Sequence, residues 1–157
     1  MNFDVGRADR FGKGVPSAVR LVRSGQSFDP LALYTPTADF IDNGDGTATH
    51  RETGLMWKRC AEGQTWSGST CTGSAAAYDW DTAVALTSST AGYTDWRLPT
   101  ANELLTIVEY QTSGPAMNTT IFPNFPYSYY SVFWSATAHA LDSNFVWGLY
   151  FFYYYAD

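Results

Sequence analysis

An α+β fold made of short strands, many turns and two helices is predicted by three observations. Helix formers are sparse, whereas the chain carries 11 Tyr, 10 Phe, 6 Trp and 13 Gly, a composition that suits pleated, half-buried surfaces joined by tight turns. Asn43-Gly44 and Asp45-Gly46 mark a hairpin tip, because both steps supply the positive backbone angles that such turns need. Between Tyr93 and Thr100 an extended, aromatic approach is converted into a helix within a few residues. The length suits one domain spanning 1–157, enough chain to bury most of its surface around a single core.

The Tyr93–Thr100 stretch organises the rest. Pro99 forces Leu98 out of the α region, and Thr100 followed by Glu103 has the form of a capping box, so a helix should begin at 100 or 101. Ala101, Leu104, Leu105 and Val108 then share one face. Trp96 and Leu98 alternate with Asp95 and Arg97, which gives the approach an apolar side for the core and a charged side to tie the turn down. Asp95, Trp96, Arg97, Thr100 and Glu103 are therefore read as a structural anchor.

Taken in order, residues 1–28 hold two strand-like pieces, Asn2 to Val5 and Ala18 to Val22, separated by a Gly-rich turn with Lys13 and Pro16. Residues 29–39, with Pro30 and Pro36, read as a linker to a main body at 40–157. Phe40 and Ile41 enter the hairpin and Thr47 to Thr49 leave it. A calcium loop at the tip fails on spacing, since Ile41 falls where the first carboxylate should be and no Glu closes the far end. Thr53 to Trp57 form a further short strand, with Trp57 in the core. Cys60 and Cys71 bracket a Gly- and Ser-rich loop, and its closure by a disulfide would be worth about 3 kcal/mol on the chain-entropy model. Two free buried thiols and a metal site are the competing readings, the latter lacking two further ligands in view. Tyr78 to Ser88 read as the first helix, with Trp80, Ala83, Val84 and Thr87 on one face and Asp79 or Asp81 in its first turn. The second helix is broken by Gly114 and Pro115. Phe122 to Pro126 is an ordered loop held by its two aromatics.

The runs GYTDWRLPTANEL at 92–104, FIDNGDGTATHRETGLMWKRC at 40–60, and NTTIFPNFP followed by FWSAT at 118–137 resemble, in that order, the motifs of the Legionella collagen-like protein C-terminal domain family. That resemblance implies a C-type-lectin-like fold with a small twisted antiparallel sheet, similar to the formylglycine-generating enzymes and to retroelement-diversified variable proteins. It implies no single activity. In such domains a VRLVR run closes the sheet as the last strand, whereas here it stands at 19–23. With the partial likeness of residues 2–9 to 150–157, this predicts a circularly permuted unit, or one cut out of phase from a tandem array. A body ending at 157 would expose an aromatic sheet edge. Residues 18–23 are expected to fill that gap, within the molecule or by exchange with a neighbour.

A net charge of −6, with 9 Lys and Arg against 15 Asp and Glu, argues against a phosphate-backbone partner, so no nucleic acid is expected. No run approaches the length of a membrane span, so membrane insertion is not expected. No secretion signal opens the chain, yet its chemistry suits a secreted or cell-surface protein. Catalysis finds little support. His50 and His139 lack a nucleophile and orienting acid at a readable spacing, and the late cysteines of the formylglycine-generating relatives are missing, since the last one here is Cys71. Asp79, Asp81, Asp95, Glu103 and Glu109 offer carboxylates for a glycan hydrolase, but nothing picks two of them. No cofactor and no metal are expected.

The aromatic region after 126 supplies more tyrosine than a core needs. Tyrosine beside Ser, Asn and Asp has the composition of a recognition surface, and the resemblance to retroelement-diversified proteins places variable ligand contacts at the same end. The candidate ligand-binding residues are Tyr127, Tyr129, Tyr130, His139, Asp142, Asn144, Tyr150, Phe152, Tyr153, Tyr154 and Tyr155. The predicted function is non-catalytic binding of a surface protein or a glycan. The alternative is a structural repeat packed against neighbouring repeats or in a strand-exchanged dimer.

Overall fold

The computed structural model describes residues 8–24, 35–110, 115–126 and 132–151. Its strands are β1 (Ala8–Gly12), β2 (Val22–Arg23), β3 (Phe40–Asp42), β4 (Thr47–His50), β5 (Met56–Lys58), β6 (Thr65–Trp66), β7 (Cys71–Thr72), β8 (Val132–Ala138) and β9 (Phe145–Tyr150). Two short helices, α1 (Trp80–Ala85) and α2 (Ala101–Leu105), lie between β7 and β8. The strands form three antiparallel sheets, in the orders β1-β9-β8, β2-β5-β4-β3 and β6-β7. The fold is thus mixed and mostly strand, and three small sheets replace the single sheet expected from the sequence.

The opening of the chain is built into the body, though not in the way the sequence suggested. The expected strand at 2–5 lies outside the described residues. The edge of β9 is covered by β1, from Ala8 opposite Leu149 to Gly12 opposite Phe145, a stretch that reads in sequence as the approach to a Gly-rich turn. Residues 17–23 instead run between the sheets. Ser17 and Tyr78 exchange backbone bonds at 2.8 and 3.0 Å, Ala18 bonds to Val132 and Trp134 on β8, and Val22 and Arg97 exchange bonds at 2.9 Å. Val22 and Arg23 also pair with Trp57 and Met56 on β5. Val19, Leu21 and Val22 are fully buried. Arg20 is buried too: its Nη1 donates to the carbonyls of Lys58 and Arg59 at 2.5 and 2.6 Å, and its guanidinium lies 4.6 Å from the Phe122 ring centre. Burial pushes this guanidinium down to about 9, with Glu62 opposing.

Alternation along β9 gives the β1-β9-β8 sheet two buried faces. Val146 joins Trp134, Trp96, Leu98, Val19, Leu21 and Ala83 in one apolar cluster. Leu149 joins Phe133, Phe151, Trp57, Leu104 and Phe122 in the other. Gly148 sits opposite Trp134, and a Cβ there would lie 2.5 Å from Val132 Cγ1 and 3.1 Å from Phe11. Only glycine lets those two side chains close over the strand. Trp134, Val146 and Phe151 turn inward, while Trp147 stays half-buried.

The 93–100 stretch ties these layers together. Trp96 and Leu98 are each 4 % exposed, and Trp96 Nε1 donates to the Thr90 carbonyl at 3.0 Å. On the charged side Arg23 forks onto Asp95 at 2.7 and 3.1 Å, and Arg97 forks onto Glu103 at 2.8 and 2.6 Å. Both halves of the capping box form: Glu103 N donates to Thr100 Oγ1 at 3.2 Å and Thr100 N to Glu103 Oε2 at 2.7 Å. Burial raises the Glu103 carboxyl, and the bonds from Arg97 and Thr100 outweigh it, so the group is held below the usual range. Between Trp134 and Ala138 the β8–β9 register shifts. The diverted residues meet the same turn, with Ala136 N on the Pro99 carbonyl at 2.7 Å and Ala101 N on Thr137 Oγ1 at 3.0 Å.

Both helices are shorter than the periodicity predicts. Asp79 caps α1 by accepting from Thr82 N at 2.8 Å, but the helix ends at Ala85. Thr87 falls beyond it, and Val84 is 46 % exposed rather than packed. The expected linker ends in a fixed segment. Thr35 is buried, its N–H donates to Glu109 at 3.3 Å, and Asn118 Nδ2 donates to the Thr35 carbonyl and to Thr37 Oγ1, both at 3.1 Å. Asn118, part of a glycosylation-like triplet, is therefore a structural residue, its Oδ1 capping the following turn through Thr120 N and Ile121 N. Phe122 and Phe125 are buried and hold their loop as expected.

Cys60 and Cys71 form a disulfide, with Cα atoms 5.4 Å apart. The closed loop is the β6-β7 hairpin, folded back onto the 42–46 tip. Trp66 rests where a Cβ on Gly46 would stand, 2.8 Å away, and the Arg59 guanidinium lies 4.3 Å from the Trp66 ring centre. Arg59 also donates to Asp42 at 2.6 Å, while Asp45 accepts from Thr47 N and Oγ1. The tip carboxylates are thereby engaged within the protein.

Candidate functional site

The β8–β9 turn brings together three of the predicted binding residues, His139, Asp142 and Asn144. β8 ends at Ala138 and β9 begins at Phe145, and backbone bonds from His139 N to the Phe145 carbonyl and from Phe145 N to the Asp142 carbonyl close the turn. Asp142 Oδ1 accepts from Asn144 N at 2.9 Å, the self-bonding by which Asp stabilises a turn. The His139 and Trp147 rings lie 5.8 Å apart. Leu141, at the tip, is 92 % exposed.

Two cations frame this apex, and the sequence reading did not place them there. The Arg10 guanidinium lies 5.3 Å from the Phe145 ring centre, because β1 sets Arg10 opposite Trp147. Lys13 donates its backbone N–H to the Asn144 carbonyl at 3.4 Å and holds its ammonium 4.4 Å from the Trp80 ring centre. Trp80 is fixed by its own Nε1 bond to the Ser135 carbonyl at 2.9 Å. Neither cation makes an ion pair among the described residues, whereas Arg23, Lys58, Arg59 and Arg97 each do. A cation over a ring face gains roughly 0.5–1 kcal/mol at exposed sites, and it keeps its charge available to a ligand.

Tyr150 is not part of this group. It stands six residues along β9 from Asn144, about 20 Å at strand rise, with its ring 5.4 Å from Phe11 on the face that carries Trp134. Tyr127, Tyr129, Tyr130, Phe152, Tyr153, Tyr154 and Tyr155 lie outside the described residues. In sequence Lys13 stands in the Gly-rich turn that follows Arg10, and Trp80 reads as a helix residue. Their meeting at the apex depends on the β1–β9 register, which no local pattern states.

Four of the five carboxylates considered for hydrolysis have separate occupations, and Asp81 lies in the first turn of α1. Asp79 caps a helix, Asp95 and Glu103 hold arginines, and Glu109 accepts from Thr35. Among the described residues no group of three or more His, Cys, Asp or Glu side chains is placed to hold a metal ion. His50 is buried against Phe40 and within 3.0 Å of Thr53 Oγ1.

These features describe a disulfide-stapled α+β domain with a hairpin apex of rings, cations and turn polar groups. The chain belongs to the Lcl C-terminal domain family, whose model matches residues 46–157. No curated protein and no solved structure matches it. No helix of the described residues is long and apolar enough to cross a membrane.

Proposed function

We propose that this domain is a non-catalytic recognition module that binds a cell-surface glycan at the β8–β9 apex. The observation that carries the reading is a pair of cations, Arg10 and Lys13, that meet no carboxylate among the described residues and are held over Phe145 and Trp80 beside a turn rich in polar groups. Half-exposed rings suit the apolar face of a sugar, and His139, Asp142 and Asn144 suit its hydroxyls. Membership of a family named for a collagen-like protein supports a place at the cell surface or outside it. A C-type-lectin-like ancestry and diversification by a retroelement belong to the same proposal. They require sibling copies to vary at 127–131, 139–144 and 152–155 while sparing Trp134, Val146, Gly148 and Leu149, which the core needs.

A glycan array probed with the wild-type chain and with Trp147→Ala and Arg10→Ala tests the reading. Binding by the wild type, lost in both variants while each remains folded by near-ultraviolet circular dichroism, is expected. Silence on glycans with capture of a purified surface protein would move the ligand to the protein class, and no binding of either would sink the proposal. The rival is a structural repeat, favoured by the exposed Val15, Val84 and Leu141, and it predicts a chain that self-associates through those residues.

A further inference from the structure

Residues 8–23 behave as a plug in the rest of the domain. Their strand register covers β9, residues 17–22 make backbone bonds to Tyr78, Val132, Trp134, Arg97, Lys58 and Glu62, and Arg20 and Arg23 bond to Lys58, Arg59 and Asp95. Their ring contacts reach Trp80, Tyr93, Phe122, Trp134, Phe145 and Tyr150. All these partners lie within 46–157, the span matched by the family model. The segment at 35–42 makes its strand pairing apart from residues 8–23, since β3 is the far edge of the β2-β5-β4-β3 sheet, while Phe40 shares an apolar cluster with Val22.

We propose that the slot filled by residues 8–23 is a peptide-binding site, and that it accepts the same segment from a second copy of this chain. Main-chain pairing along β9, β8 and β5 supplies affinity, and the buried Val19, Arg20, Leu21 and Val22 supply selectivity, the combination by which a donated strand completes a sheet. Emptying the slot exposes the edge of β9 and opens both apolar clusters at once, so a body without a plug gains strongly from capturing one. Because the bonds named here run to 46–157, a neighbour's segment satisfies them as well as the chain's own, which is the condition for exchange between copies.

Two full-length variants test this. Leu21→Asp spoils the plug, and Trp134→Asp spoils the slot while leaving the plug intact. Each alone should refold without a native near-ultraviolet aromatic signal. Refolded together they should form a heterodimer that recovers about half of the wild-type signal, one completed unit per pair. A mixture as unfolded as its parts would overturn the proposal, as would a native Leu21→Asp monomer, which would show that the plug is dispensable. A separate measurement uses the wild-type chain with a protease site inserted between Gln26 and Ser27, cut after folding. The two pieces should stay together until denaturant is added, and on refolding the large piece should take up a labelled 8–23 peptide in preference to its Leu21→Asp form. Release under native conditions, or equal uptake of both peptides, would count against it.

Discussion

The 93–105 turn and the β8–β9 apex use the same residue types to opposite ends. In the turn each charge has a partner: Arg23 with Asp95, Arg97 with Glu103, and Glu103 again with the Thr100 N–H. Trp96 beside them is buried. At the apex Arg10 and Lys13 lie over rings with no carboxylate paired to them among the described residues, and Trp147 is only half-buried. Matched charges around a sealed Trp hold a backbone in one place. Charges that meet no carboxylate among the described residues, beside a half-buried Trp, contribute less to holding the backbone, and the proposed function assigns them to a ligand. The difference is one of local bonding, so substitution should separate the two regions by which property each variant loses.

The largest effect is expected from the buried Trp. Trp96→Ala removes a ring from the cluster of Trp134, Val146 and Leu98 together with its bond to Thr90, and should cost about 3–5 kcal/mol in urea unfolding. Trp147→Ala, at a half-buried ring, should cost less, about 1–2 kcal/mol, while abolishing the proposed glycan binding. Equal stability losses in the two variants would erase the distinction drawn between the regions.

The turn could be read from sequence because its signals are local. Pro99, Thr100 and Glu103 state a helix start within five residues, and Asn43-Gly44 with Asp45-Gly46 states a hairpin. Cys60 and Cys71 stand close enough in sequence for a disulfide to be proposed. What sequence did not state is long-range. Residues 8–12 have no strong alternation, and their pairing with β9 is imposed by the aromatic edge they cover rather than by their own propensity. The helices were overestimated because apolar periodicity continues past Ala85 and Leu105, whereas the chain there turns to meet other layers. At the apex His139, Asp142 and Asn144 are neighbours in the chain, but Arg10, Lys13 and Trp80 arrive from elsewhere.

Gly148 sharpens the comparison within one strand. It lies one residue from Trp147, yet a methyl group there would meet Val132 and Phe11. Gly148→Ala should therefore destabilise by about 1–3 kcal/mol through overpacking, with binding by the folded fraction unchanged. A neutral outcome in thermal unfolding would show that β1 and β8 can spread, and would weaken the account of how Arg10 is positioned.

His50 gives a smaller, pH-dependent effect remote from both regions. Burial lowers its imidazole below the ordinary range, with Glu52 and Asp39 opposing. The unfolded chain therefore takes up a proton near pH 6.5 that the folded one refuses. This share of stability is complete above about pH 6.5 and is lost as the pH falls below it, ending once the folded value is passed. Asp79, Asp95 and Glu103 are held below the usual carboxylate range, so their losses come at lower pH. Urea midpoints taken downward from pH 7.5 should fall for the wild type, starting at about pH 6.5, and stay level for His50→Gln over the first part of that range. Parallel curves would assign the acid sensitivity to other groups.

The smallest expected change is a gain, and it lies where the organising turn begins. Ala91 has a φ of 56°, in the left-handed region that costs an alanine roughly 1–2 kcal/mol relative to right-handed backbone. Its position is held on one side by the Trp96 bond to Thr90 and on the other by the Gly92 and Tyr93 N–H bonds to Ser89 and Thr90. Ala91→Gly relieves the steric cost but gives the unfolded chain more freedom, and the two effects leave a net stabilisation of about 0.5 kcal/mol. If the turn is as tightly held as its paired charges imply, the gain should appear in stability alone, with the affinity of the apex for its ligand unchanged. A shift in affinity would mean that the two regions are mechanically joined through Pro99 and Ala136, the bond that links the turn to β8.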